Sequence, residues 1–209
     1  MRERTMLEVK NLRFRWHADS PWLLQGVNLH VAAGETVGIM GQSGCGKSTL
    51  ARLLTGHMPI QAGEVLLDGQ PLPKTGAHPV QLVMQHAELA LNPRWHIGAS
   101  LREGWQPDAE TLRSFGIREE WLQRFPHELS GGEMQRISIV RALIPQLRIL
   151  VADELTTMHD PITQVQIWRA LQEQARKRGL GLLAISHDAA LLQALHARVL
   201  HMRDGVLCE

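Results

Sequence analysis

Gly41-Gln-Ser-Gly-Cys-Gly-Lys-Ser-Thr49 is the stretch on which the fold turns. It fits the pattern G-x-x-x-x-G-K-[ST], in which a glycine-rich turn lets backbone N–H groups close around a phosphate. Successive N–H groups make an anion nest, and the helix that follows adds the positive end of its dipole. The motif needs a strand before it and a helix after it. Thr36-Val-Gly-Ile-Met40 is a short apolar run, and Ser48-Thr-Leu-Ala-Arg-Leu-Leu-Thr55 reads as a helix stopped by Gly56. In that context Lys47 reaches the β- and γ-phosphates of a nucleoside triphosphate, and Ser48 ligates Mg²⁺ through its hydroxyl. Gly41, Gln42, Ser43, Gly44, Cys45, Gly46 and Thr49 complete the cradle, with Cys45 fitting as a small residue.

Upstream, Leu7–Phe14 and Gly26–Ala32 alternate apolar and polar residues as half-buried strands do, with Ala33-Gly34 as a turn. Downstream, Gly63–Asp68 reads as a strand ending in an Asp-Gly turn, and Val80–Gln85 as another strand. From about 86 to 145 the pattern is helical, broken at Pro93, Pro107 and Pro126. Strand character returns at Leu147–Ala152, a continuous apolar run suited to a sheet covered on both faces. Asp160 and Pro161 open a helix that Gly179 stops, and Gly181–Ser186 is a further buried strand before a helix through Leu192. Strands alternating with helices around a phosphate loop predict an α/β fold with a mostly parallel sheet. The expected division is 1–85 for the first part of the core, 86–145 for an inserted helical subdomain, and 146–209 for the rest of the core.

The bulk properties exclude several classes. A formal net charge of +1 on 209 residues gives no general attraction to nucleic acid. No run of about 18 apolar residues is present, so no spanning helix is expected. The N-terminal residues carry no signal-peptide apolar region. Two cysteines are too few for a disulfide framework, and a reducing cytosolic setting is expected.

Two further constellations carry chemistry. Ile149-Leu-Val-Ala-Asp153-Glu154 is an apolar strand that ends in two carboxylates, and ligands of open α/β sheets bind at such strand ends. Neighbouring strand residues point opposite ways, so the two acids take different tasks. Asp153 suits the Mg²⁺ shell, and Glu154 the polarisation of an attacking water. Ser186-His187-Asp188 follows the next buried strand. Position at a strand end is what singles out His187 among eleven histidines for contact with a γ-phosphate and the water.

Leu129-Ser-Gly-Gly-Glu-Met-Gln-Arg136 makes the resemblance specific. It is similar to the L-S-G-G-Q-x-Q-R signature of ATP-binding cassette (ABC) ATPases, and its separation from Asp153 is the usual one. The order of phosphate loop, Gln85, signature, acidic pair and His187 also resembles that family, over essentially the whole chain. The resemblance implies a P-loop NTPase ABC fold with an antiparallel β subdomain and an inserted helical subdomain. It implies ATP and Mg²⁺ as ligands, with Ser48, Gln85 and Asp153 around the metal, and Glu154, His187 and Gln85 about the attacking water. Leu129, Ser130, Gly131, Gly132 and Glu133 would meet ATP held by the opposite subunit of a head-to-tail dimer. Ser130 reads as a helix N-cap. Trp16, or alternatively Phe14, would stack on adenine, and Asp160 would communicate across the dimer. Two departures stand out. Glu133 replaces the usual glutamine and brings negative charge toward a neighbouring triphosphate, and Thr157-Met-His-Asp160 replaces Ser-Ala/Asn-Leu-Asp. Altered cross-dimer coupling with retained catalysis is expected.

Gly44–Arg52, Leu91-Asn-Pro-Arg94 and Phe125-Pro-His-Glu-Leu-Ser-Gly-Gly132 resemble the peptide and nickel importer branch. The short C-terminal stretch after Arg203 leans toward its nickel-type second ATPase. The branch implies a second ABC ATPase chain, commonly a different one, two transmembrane permease subunits and, indirectly, an extracytoplasmic solute-binding protein. It also implies a peripheral location on the cytoplasmic face of the inner membrane. The alternative is a soluble cassette of an enzyme complex such as the carbon–phosphorus lyase system. A DNA-repair cassette is disfavoured because no coiled-coil insertion separates the two halves.

Overall fold

The computed structural model describes residues 5–155 and 161–208. Thr157, Met158, His159 and Asp160 lie outside the described residues. In chain order, β1 (Thr5–Phe14), β2 (Leu24–Ala32) and β3 (Thr36–Gly41) lead into α1 (Lys47–Leu54), β4 (Ala62–Leu67), β5 (Gln70–Pro71) and β6 (Val80–Val83). Then come α2 (Ile97–Arg102), α3 (Ala109–Ser114) and α4 (Gly131–Ala142), with 3₁₀ turns at Ala87–Ala90, Glu119–Gln123 and Pro126–Glu128. The chain continues through β7 (Ile149–Asp153), α5 (Pro161–Arg178), β8 (Gly181–Ile185), α6 (Ala189–Ala194), β9 (Arg198–Arg203) and β10 (Val206–Cys208).

The strands form two sheets. One is antiparallel, in the order β2-β1-β4-β5, and the other runs β10-β9-β3-β8-β7-β6. In the second, β3, β6, β7, β8 and β9 are mutually parallel, and β10 turns back along β9. The period-2 alternation of strand side chains decides which core each residue joins. In β7, Ile149 and Val151 face the core that holds β1, β2 and α1, whereas Leu150 and Ala152 face the core built with α2, α4 and α5. In β8, Leu183 and Ile185 take the first side, and Leu182 and Ala184 the second. Continuous apolar runs in β7 and β8 thus reflect a sheet covered on both faces. Among the described residues, no helix is long and apolar enough to cross a membrane.

Several boundaries differ from the expectation. β6 stops at Val83 and not at Gln85 because the chain leaves the ladder there. The last pair is Val83 with Ala152, and the Met84 carbonyl accepts instead from the buried Gln135 side chain at 3.1 Å. β7 starts at Ile149, since the backbone N–H groups of Arg148 and Ile149 both turn toward the Pro79 carbonyl. The β9–β10 hairpin adds two strands to the expected set. Arg198–Arg203 mixes charged and apolar residues without clean alternation, so it carries a weak strand signal. Its Asp204-Gly205 turn, with φ of 46° and 75°, has the left-handed pair that a type I′ hairpin requires. Asp68-Gly69, at 50° and 77°, does the same between β4 and β5.

Candidate active site

The central order β3-β8-β7 sets three loops side by side at the carboxyl ends of parallel strands. These are the phosphate loop after β3, Ser186–Asp188 after β8, and Asp153-Glu154 at the end of β7. Their sequence separation is large, and ladder pairing alone brings them together.

The loop between β3 and α1 is tight. Gly46 caps α1 with φ of 109°, a left-handed backbone that favours glycine. At Gly41 the requirement is space: a Cβ there would lie 2.5 Å from the Met202 carbonyl oxygen and 2.8 Å from Cys45 Sγ. β9 therefore closes one side of the loop. Gln42, Ser43, Gly44 and Ser48 are exposed, while Gly46, Lys47 and Thr49 are buried and Cys45 is half-buried. The Lys47 ammonium donates to the carbonyls of Gly41 at 2.8 Å and Gln42 at 2.9 Å, and lies 3.9 Å from Cys45 Sγ. A charged donor is thus held on the loop it would share with a phosphate. A cleft of about 580 Å³ opens beside it, lined by Gly41, Gln42, Cys45 and His187, and by His201 and Met202 from β9.

Parity places Asp153 on the α1 side of the sheet, continuing the Ile149–Val151 row. Burial raises its carboxyl pKa above the ordinary value; the Ser48 hydrogen bond opposes this, the Glu154 charge adds to it, and Lys47 and Arg52 oppose it. Asp153 Oδ1 is buried without a hydrogen-bond partner. An anionic oxygen buried in that way, beside a serine hydroxyl, fits a divalent cation. Glu154 takes φ of 50°, a conformation that costs a non-glycine residue free energy and is concentrated at functional sites. Its N–H is fixed to the Ile185 carbonyl at 3.0 Å, and its Oε1 lies 3.7 Å from His187 Nδ1. His187 is two-thirds exposed at 66%, whereas the Glu154 side chain is 31% exposed. Ser186 Oγ accepts from Asp188 N–H at 3.0 Å, and Asp188 caps α6 through Leu191 N–H at 3.1 Å, which fixes the chain on both sides of His187.

The two aromatic candidates separate cleanly. Phe14 is a core residue at 4% exposure, and Trp16 stands out at 56%, edge-on to Phe14 with ring centroids 5.1 Å apart. Gln85 is half-buried just beyond β6. The buried Gln135 side chain ties α4 to the backbone immediately before Gln85, a contact that sequence position alone does not reveal. Gln135 is the second glutamine of the signature run. Ser130 caps α4, accepting from Glu133 N–H at 3.3 Å, while Glu133 Oε2 accepts from Ser130 N–H at 2.8 Å and Ser130 Oγ at 3.0 Å. Leu129 is buried, Ser130 and Gly131 are exposed, and Gly132 and Glu133 are half-buried. None of the five is among the lining residues of the cleft beside the phosphate loop.

Comparison with known proteins identifies the family. The family model described as ABC transporter matches residues 24–157. The nickel import system ATP-binding protein NikE of Staphylococcus aureus (strain bovine RF122 / ET3-1) is 34% identical over 218 aligned positions, covering 98% of this chain and 89% of that protein. The solved ATP-binding subunit of an ABC transporter superimposes with a TM-score of 0.85 at 25% identity, covering 97% of this chain and 88% of its own. The ATP-binding cassette MJ0796, a dimer in a post-hydrolysis state bound to ADP and Pi, shares the fold at a TM-score of 0.83 and 24% identity, over 98% of this chain and 97% of its own. The family model spans more than half of the chain and the NikE relative is 34% identical over nearly all of it, so the chain belongs to the ABC transporter family, as an ATP-binding and ATP-hydrolysing cassette.

Proposed function

We propose that the chain powers a membrane importer for nickel or small peptides. The observation that carries the ATP-driven part of this reading is the meeting of Lys47, Ser48, Asp153, Glu154 and His187 at the ends of three adjacent strands. ATP phosphates take the N–H groups of residues 41–49 and draw Lys47 away from the Gly41 and Gln42 carbonyls. Adenine stacks on the exposed Trp16. Ser48, Asp153 and Gln85 hold Mg²⁺, which neutralises charge on the phosphates when bound. Glu154 accepts a proton from the attacking water, with His187 beside it to contact the γ-phosphate. The unpartnered Asp153 Oδ1 supports the metal role.

The signature, Leu129–Glu133, meets the nucleotide of a second ABC ATPase chain, and Asp160 belongs to the loop that communicates between the two. Residues 86–145 are read as the helical unit that carries this signature. Gln135 then passes movement of α4 to the Gln85 segment. Two permease subunits, and through them an extracytoplasmic solute-binding protein, complete the assembly at the cytoplasmic face of the inner membrane. The named role of the NikE relative in nickel import supports the importer reading over a soluble enzyme complex. Purification from native membranes in mild detergent, with partners identified by mass spectrometry, tests it. Two permeases with a sister ATPase are expected; soluble enzymes without a permease would overturn it.

A further inference from the structure

Glu133 is the signature residue that departs from the family pattern, and its contacts give it a role of its own. Its carboxylate accepts from both the backbone N–H (2.8 Å) and the hydroxyl (3.0 Å) of Ser130 at the first turn of α4. A helix start favours negative charge because its N–H groups are unpaired and its dipole is positive there. An external phosphate would seek the same donors. The ground in front of them is open. Gly131 is exposed, and a Cβ added to it would meet nothing within 4 Å. Nothing in this chain's own packing requires a glycine at that point, although alanine is the better helix former. Open space points to an outside group, and the internal carboxylate already covers the donors that group would use.

We propose that Glu133 is a built-in competitor of the incoming nucleotide. In the separated cassette its carboxylate occupies the Ser130 donors, and it releases them when the ATP of a second subunit arrives. It thereby raises the ATP concentration at which two cassettes close. The inference rests on the reading that Ser130–Gly132 contact the opposite nucleotide.

The test is an ATP titration of turnover, with the full chain purified together with its native partners. Glu133→Gln keeps the shape and one acceptor for Ser130 N–H but removes the charge. Glu133→Ala removes both and gives up the cap. Gly131→Asp puts a fixed carboxylate in the open space, where the chain itself has room for it. The KM for ATP is expected to fall about two- to tenfold in both Glu133 variants, by more than kcat changes, even though Glu133→Ala unfolds at a lower temperature. Gly131→Asp is expected to abolish turnover while unfolding like the parent. A KM that stays or rises in Glu133→Gln, with turnover still abolished by Gly131→Asp, would overturn the competitor role and leave the signature reading standing. Normal turnover in Gly131→Asp would overturn the signature reading, and the competitor role with it.

Discussion

Gly41→Ala separates the structural from the nucleotide-binding demands on the phosphate loop. A methyl group at Gly41 would stand 2.5 Å from the Met202 carbonyl oxygen and 2.8 Å from Cys45 Sγ. The thiol can rotate, but the carbonyl belongs to the β3–β9 ladder, where Gly41 and Met202 are paired. Relief therefore needs the two strands to part. Overpacking a well-filled site costs about 1–3 kcal/mol, and a backbone neighbour puts this change near the top of that range. For a domain of 150–250 residues each kcal/mol lowers Tm by about 2–4 °C, so Gly41→Ala should lose about 6–12 °C without nucleotide. Gly44 is the internal contrast. Its φ is 81°, but a Cβ there would meet nothing within 4 Å. Gly44→Ala carries only the left-handed strain, about 1 kcal/mol and about 2–4 °C. Its main effect should be weaker nucleotide binding, because its open side faces the space the reading reserves for phosphate. Thermal unfolding followed by tryptophan near-ultraviolet dichroism, with and without ATP, distinguishes the two. A Gly41→Ala transition within 2 °C of the parent, or above that of Gly44→Ala, would refute the reasoning.

Further outcomes follow from the same geometry. Glu154→Gln should lower kcat at least about 100-fold while ATP still binds, and adding His187→Ala should cost less than the sum of the single changes because the two side chains lie 3.7 Å apart; additive losses in single-turnover assays would argue against a shared role. In Mg²⁺-free buffer, Asp153 has a carboxyl pKa raised by burial, so its contribution to stability is present below its unfolded pKa of 3.8 and is lost as pH rises through the folded value. Asp153→Asn should flatten that decline in urea titrations and abolish the dependence of turnover on Mg²⁺. Trp16→Ala should leave Tm almost unmoved, since the ring is 56% exposed, and raise the KM for ATP by the equivalent of about 1–3 kcal/mol. Gln135→Leu removes the donor of the Met84 carbonyl inside the core, for a loss of about 1–3 kcal/mol in chemical denaturation.

Local chemistry is what the sequence by itself determined. The glycine–lysine–serine spacing of 41–49, the apolar runs at 36–40 and 149–152, and the cap at Ser130 each depend on neighbours a few residues away. That is enough to give the α/β class and the family resemblance. Tertiary structure decided everything that rests on contacts between distant segments. The strand order β3-β8-β7 brings Lys47, Asp153 and His187 to one edge, and parity sends Asp153 toward α1. β9 closes against Gly41 although its own sequence scarcely reads as a strand, because a parallel ladder with β3 compensates for weak local preference. Trp16 and its alternative Phe14 part company once the β1–β2 pairing buries Phe14 and leaves Trp16 outside. In sequence, Glu133 places a negative charge in the first turn of the helix and toward a neighbouring triphosphate. The folded first turn of α4 adds which donors it takes, the N–H and hydroxyl of Ser130.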